Sequence, residues 1–218
     1  VGQGSVTAFE TRPEHDYIAG DATNAWPADV VDEAVRQLVF LKPDTVIVYD
    51  RVRLHEPATT RWLATTAPGL EMTEEGFRAG DQAAAVQATI LLPEGAQAML
   101  PKQPANFNWK GQQLVGITSP VGQASSPVNV VEYLVVLRVG DDKVQPADAE
   151  LIERDGMVGV AIDGSDWLFN RSGDVGGPGL SDRVDNSYRH WESDPRYAKW
   201  MTESRFDFIM GEHGRAAE

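Results

Sequence analysis

Turn signals punctuate most of this chain at intervals of about eight to twelve residues, with β-prone runs and no helical period between them. They include Pro68-Gly69, Glu74-Glu75-Gly76, Pro93-Glu94-Gly95, Gly140-Asp141-Asp142, Asp155-Gly156 and Asp163-Gly164. A chain cut this often has no room for long helices, and its apolar residues can be buried only between sheets. The sequence therefore predicts an all-β fold, an antiparallel β-sandwich over 1–170, followed by a loop and a short C-terminal helical tail, 171–218, packing on it. The clearest hairpin joins 35–41 to 45–50 through Lys42-Pro43-Asp44, which suits a type I turn. Its second strand, Thr45 to Asp50, is apolar at nearly every position, as expected of a strand buried on both faces. Further strands are expected at 5–9, 17–19, 60–64, 76–79, 85–92, 98–100, 128–139, 151–154, 157–162 and 167–170.

Two stretches break the rhythm. Residues 101–123 are polar and rich in Pro and Gly around Asn106-Phe107-Asn108-Trp109, and read as a long loop. From Arg171 the chain passes through the Gly-rich 173–179, and Ser193-Asp194-Pro195 then opens a helix as N-cap followed by proline.

Charge and composition exclude several functions. The 218 residues carry a net charge of -14, which repels phosphate backbones and argues against nucleic-acid binding. No apolar run is long enough for a membrane-spanning helix, and Val1-Gly2-Gln3-Gly4 has neither a charged nor an apolar leader region. The absence of cysteine removes disulfides, thiolate nucleophiles and thiolate metal ligands. The four histidines, His15, His55, His190 and His213, show no metal-ligand spacing, so no metal site is assigned. Nucleophile-elbow, phosphate-loop, dinucleotide and zinc-protease signatures are all missing. Asp163-Gly164-Ser165-Asp166 lacks the ligand spacing of a calcium loop and reads as a hairpin turn.

Two clusters combine polar and aromatic side chains. The first runs from His15 to Trp26 and holds His15, Tyr17, Asp21 and Trp26, the candidate substrate-binding residues. Trp26 would stack on a sugar while Asp21 accepts its hydroxyls; the competing reading is a strand ending in a tight Gly20-Asp21 turn, with Asp21 capping backbone amides. The second cluster is Tyr188-Arg189-His190-Trp191 with Arg196, Tyr197, Lys199 and Trp200. It suits an acidic glycan, and equally a helix that buries its rings while its cations snorkel outward.

The order of the first elements resembles the heparinase II/III-like family of polysaccharide lyases. The resemblance rests on Tyr17-Ile18-Ala19-Gly20-Asp21-Ala22-Thr23-Asn24-Ala25-Trp26, then Arg36 through Leu41-Lys42-Pro43-Asp44, then Val46 through Asp50-Arg51-Val52, and covers about residues 5–66. It implies a parent enzyme with an α/α-toroid followed by β-sandwich layers, which cleaves uronic-acid-containing glycans by β-elimination. It further implies that the catalytic groups lie mainly on the toroid and that a structural zinc sits in the upstream β region, outside this chain. No catalytic or zinc residue transfers onto this sequence, because the family's positions for them lie upstream of the matching segment, and Trp62-Leu63 is also followed by Ala64-Thr65-Thr66 where many relatives place a histidine. Tyr17, Asp21, Arg36, Asp50 and Arg51 transfer as motif positions with structural roles.

The expectation is therefore the carboxy-terminal β-sandwich region of a periplasmic or secreted bacterial lyase, inactive alone and with no cofactor of its own. Its expected partners are the upstream toroid and β region of the same protein and an acidic polysaccharide, with no nucleic acid and no membrane. The alternative is a stand-alone, non-catalytic carbohydrate-binding or scaffolding module. A complete small lyase built on His15 and Tyr17 is disfavoured, because its acid–base groups are so sparse.

Overall fold

A computed structural model describes residues 4–102, 112–119 and 129–184. Their secondary structure is almost wholly antiparallel strand: β1 (Ser5–Thr11), β2 (His15–Asp21), β3 (Val31–Leu41), β4 (Thr45–Leu54), β5 (Thr60–Thr66), β6 (Glu71–Met72) and β7 (Gly76–Gly80). The chain continues through β8 (Ala85–Leu92), β9 (Ala98–Met99), β10 (Gln113–Ser119), β11 (Val130–Gly140), β12 (Ala149–Arg154), β13 (Met157–Ile162) and β14 (Ser165–Asn170). A single 3-10 turn, Thr23–Ala25, interrupts the β2–β3 connection.

The strands form three sheets. The largest has eight strands in the order β1-β2-β3-β4-β11-β8-β7-β6, and the others are β5-β10-β9 and β12-β13-β14. Each small sheet covers one face of the large one. Ile47, Tyr49, Leu134 and Val136 pack with Val158, Val160, Ile162 and Phe169 of the β12-β13-β14 sheet. Val48, Phe77, Ala88 and Val135 pack with Trp62, Val115 and Ile117 of the β5-β10-β9 sheet. Neighbouring residues of β4 thus enter different cores, which is why Thr45 to Asp50 lacks the usual polar alternation. At the other end of the sheet the alternation returns. In β2, His15, Tyr17 and Ala19 are buried, whereas Asp16, Ile18 and Gly20 are only half-buried. Among the described residues β1 and β2 contribute nothing to the core beneath the β5-β10-β9 sheet, whereas Leu38 of β3 packs against it.

The expected all-β antiparallel sandwich is present, built around a shared central sheet. The β12-β13-β14 meander is held by two Asp-Gly turns, with Arg154 opposite Met157 and Ile162 opposite Ser165. Asp155, Gly156, Asp163 and Gly164 all have positive φ, the signature of two-residue type I′ hairpins. Asp163-Gly164 is therefore the hairpin turn its sequence suggests, and Asp163 and Asp166 pair with Arg138 and Arg154 at 2.9 and 2.8 Å.

The strands of the β3–β4 hairpin pair as foreseen, Leu41 opposite Thr45, and its Lys42–Pro43 peptide is cis. One local expectation needs correction. The stretch 101–123 is not one loop, because Gln113–Ser119 forms the central strand of a small sheet. Its inward Val115 and Ile117 supply just two alternating apolar positions in polar surroundings, too few to show a period. After β14 the chain returns over the β12-β13-β14 side of the central sheet, burying Leu180, and at Val184 bridges in parallel to Phe9 of the edge strand β1. The expected helical tail beyond Val184 lies outside the described residues.

Candidate functional site

The pleat of the central sheet sends alternate residues of β1 to β4 and β11 to one face, and several of those residues are polar. Glu10, His15, Tyr17, Gln37, Arg51 and Glu132 all point to the side covered by β12-β13-β14 and by residues 171–184. Buried polar groups must find partners, and Glu10, Tyr17, Gln37 and Glu132 each find one in the returning chain. The Tyr17 hydroxyl donates to Gln37 Oε1 at 2.6 Å and accepts from the Gly176 amide at 2.8 Å. Tyr17 has no exposed surface, and burial pushes its phenol up to about 12, with the Gly176 amide pulling down and Glu10 pushing up. His15 lies edge-on to Trp167 at 4.9 Å between ring centroids, with Nε2 3.3 Å from Glu10 Oε1. The same Glu10 oxygen accepts from the Ser181 amide at 3.1 Å.

Further along this face, Tyr49 stacks on Phe169 and donates to Glu132 Oε1 at 2.6 Å. Glu132 is paired in turn with Arg171 at 3.0 Å. Burial first, and Glu132 next, push the Tyr49 phenol up. Arg51 pairs with Glu33, and Gly173 lies directly over the pair with φ +100°; a Cβ there would come within 2.9 Å of Glu33 Oε2. Only glycine fits that approach. Gly177 is pressed closer still, since a Cβ there would meet the Leu168 carbonyl oxygen at 2.0 Å. The belt thus clamps residues 171–184 onto the sheet. A glycan would have to displace that cover to reach Tyr17.

Arg36 and Asp50 form a separate unit on the opposite face. Both guanidinium nitrogens Nε and Nη2 donate to the carboxylate at 2.6 Å, the two-pronged geometry that suits arginine. Burial pushes the Asp50 carboxyl up against the downward pull of Arg36. The Trp62 indole N–H makes no hydrogen bond of good geometry, yet it lies close enough to favour the charged carboxylate further.

The remaining two candidates stand at the far end of β2. Six residues of strand separate Asp21 from His15, roughly 20 Å at strand rise, so the four candidates do not converge on one pocket. Asp21 Oδ1 accepts from the Thr23 amide at 2.8 Å, closing the turn that leads to Trp26. Trp26 itself is 56% exposed. Only this end of the first cluster offers an aromatic surface to solvent. The second cluster, Tyr188 to Trp200, lies outside the described residues. Among the described residues no group of three or more His, Asp or Glu side chains is arranged to hold a metal.

Sequence reasoning overlooked Glu10, Gln37, Glu132 and Arg171. A usable signal existed for Gln37, a polar residue in an apolar register between Val35 and Val39. Arg171 carried none, because its partners lie 39 and 18 residues earlier in the chain.

No protein-family model matches this sequence, and no curated protein matches it. The fold, however, is similar to solved polysaccharide lyases. It superposes on the heparan sulfate lyase HepC from Pedobacter heparinus with a TM-score of 0.55 and 11% identity, over 76% of this chain and 27% of that one. A heparinase III gene product gives a TM-score of 0.57 at 11% identity, over 77% of this chain and 27% of that one. Another heparinase III gives 0.56 at 10% identity, over 76% and 27%. The chain therefore spans about a quarter of the length of these enzymes, and what it shares with them is the fold of a β region.

Proposed function

We propose that this chain is the β-sandwich region of a heparinase II/III-like polysaccharide lyase, one that cleaves uronic-acid-containing glycans by β-elimination with catalytic groups mainly outside the chain. The observation that carries this reading is the similarity to heparinase III enzymes over three quarters of this chain but little more than a quarter of theirs. The roles of the motif residues agree with it. Tyr17 and Asp21 hold backbone, and Arg36 and Arg51 hold carboxylates, so each is committed to architecture. β-Elimination needs a base at the C5 proton, an acid at the leaving oxygen and neutralisation of the uronate carboxylate. The buried His15 and Tyr17 are poorly placed for such work while residues 171–184 cover them.

On this reading the partners are an upstream toroid and β region of the same protein, together with an acidic polysaccharide. Any structural zinc belongs to that upstream region, and the chain itself binds no cofactor. A periplasmic or secreted bacterial location accompanies the reading. The test is lyase activity on heparin, hyaluronan and alginate, followed by the ultraviolet absorbance of unsaturated products. The parent protein should produce them and this chain alone should not. A parent protein inert on every uronate polymer would instead favour the stand-alone carbohydrate-binding module, for which the exposed Trp26 is the best feature.

A further inference from the structure

The two faces of the central sheet are covered unequally at its β1 end. On one face β1, β2 and β3 carry Ala8, Tyr17, Ala19 and Val39 into the core beneath β12-β13-β14. On the other, cross-strand register lines up Phe9, Ile18, Leu38 and Val48 in one row, and Asp16, Phe40 and Val46 in the next. Leu38, Val46 and Val48 pack into the core beneath β5-β10-β9. Phe9, Ile18 and Phe40 join no core among the described residues and are half-buried. Val6, opposite Gly20 further along the same face, is 54% exposed.

A sheet face that meets water normally carries polar residues at alternate positions. Here those positions are aromatic or aliphatic on three successive strands, and the ionic groups among them are already paired. Lys42 holds Asp16 at 2.8 Å and Arg36 holds Asp50 at 2.6 Å. Neither pair leaves a net charge to recruit a polyanion, so the face has the chemistry of a contact surface. Charge also separates its possible occupants. A second copy must approach with its own net charge of -14, which opposes association of identical chains. Polypeptide of the same protein is instead held at an effective concentration on the order of millimolar. The lyases that share this fold match this chain over only 27% of their own length. The first strand, β1, is the edge strand beside Ile18, so polypeptide running into it arrives at this face.

We propose that Val6, Phe9, Ile18 and Phe40 form a docking surface, covered in the parent enzyme by an apolar layer of the polypeptide upstream of this chain. The surface rests on the reading of this chain as one region of a larger lyase, and on no assignment of catalytic groups. The chain contains no cysteine, so a single introduced thiol reports cover directly. Val6→Cys and Ile18→Cys are made in the 218-residue chain and in the parent protein. Glu74→Cys, in the exposed β6–β7 turn at the far edge of the central sheet, is the reference. Maleimide labelling of the native proteins is followed by mass spectrometry of the peptide that holds the new thiol. Relative to Glu74→Cys, both thiols should react at least about tenfold more slowly in the parent than in the isolated chain, because labelling then waits for the cover to open. Thermal melts of both variants of the isolated chain should stay close to that of the unsubstituted chain. Equal rates in chain and parent overturn the proposal. So does slow labelling in the isolated chain itself, whether it deepens with protein concentration, as for a second copy, or is relieved by truncation after Val184. Open thiols in a parent that releases unsaturated products from a uronate polymer remove the docking surface and keep the lyase reading. Protected thiols in a parent inert on every uronate polymer keep the docking surface and remove the lyase reading.

Discussion

Tyr17→Phe separates a structural tyrosine from a catalytic one. The substitution keeps the ring in the core and removes one oxygen that donates to Gln37 and accepts from Gly176, 2.6 and 2.8 Å away. One net hydrogen bond is worth about 0.5–1.5 kcal/mol, and a buried group left unsatisfied costs about 1–3 kcal/mol. The Gly176 amide keeps a second acceptor in Gln37 Oε1 at 3.2 Å, so the larger penalty is only partly incurred. The expected loss is about 1–2 kcal/mol, or roughly 2–8 °C in melting temperature for a domain of this size. Urea denaturation measures the first quantity and a thermal scan the second. Hydrogen exchange at the Gly176 amide adds a local readout, and protection there should fall further than at Val48 in the middle of β4. Lyase activity of the parent enzyme should persist. An unchanged midpoint with abolished turnover would refute the structural assignment and return Tyr17 to the chemistry.

Three further outcomes follow from the same contacts. Tyr17, raised to about 12, stabilises the fold fully below pH 10.0, its ordinary value, and loses that contribution as pH rises through about 12; Tyr49, also raised, adds to the loss, and Tyr17→Phe should flatten the decline measured by denaturation at each pH. Arg36→Met leaves the mostly buried Asp50 carboxylate without its partner and should cost about 2–4 kcal/mol, somewhat under the figure for a fully buried pair because Arg36 is half-exposed; Arg36→Met with Asp50→Leu should recover much of it in the same denaturation assay. Asp21→Ala should cost about 0.5–2 kcal/mol by analogy with helix caps, seen as a lowered melting temperature with glycan affinity unchanged.

Much of this fold was legible because its signals are local. Asp155-Gly156 and Asp163-Gly164 demand tight turns wherever they occur, and the strands beside them pair as their spacing predicts. The unbroken apolar run of β4 announced two cores, since a strand with one wet face would alternate. Gln113–Ser119 escaped notice because its strand identity comes from seven paired positions on β5, a partner about fifty residues away. The candidate site was less legible for the same reason. His15, Tyr17, Asp21 and Trp26 are neighbours in sequence, but strand geometry divides them between a covered face and an open end. The cover, residues 171–184, reaches Tyr17 across 159 positions through Gly176.

The central claim is that this chain supplies a β region to an enzyme whose acid–base groups lie elsewhere in the same protein. Release of unsaturated products from heparin, hyaluronan and alginate, followed by ultraviolet absorbance, compares the isolated chain with the full parent protein at equal molar concentration. The account predicts turnover by the parent on at least one polymer and none by the chain. Clear turnover by the isolated chain, abolished by His15→Ala or Tyr17→Phe, would contradict it.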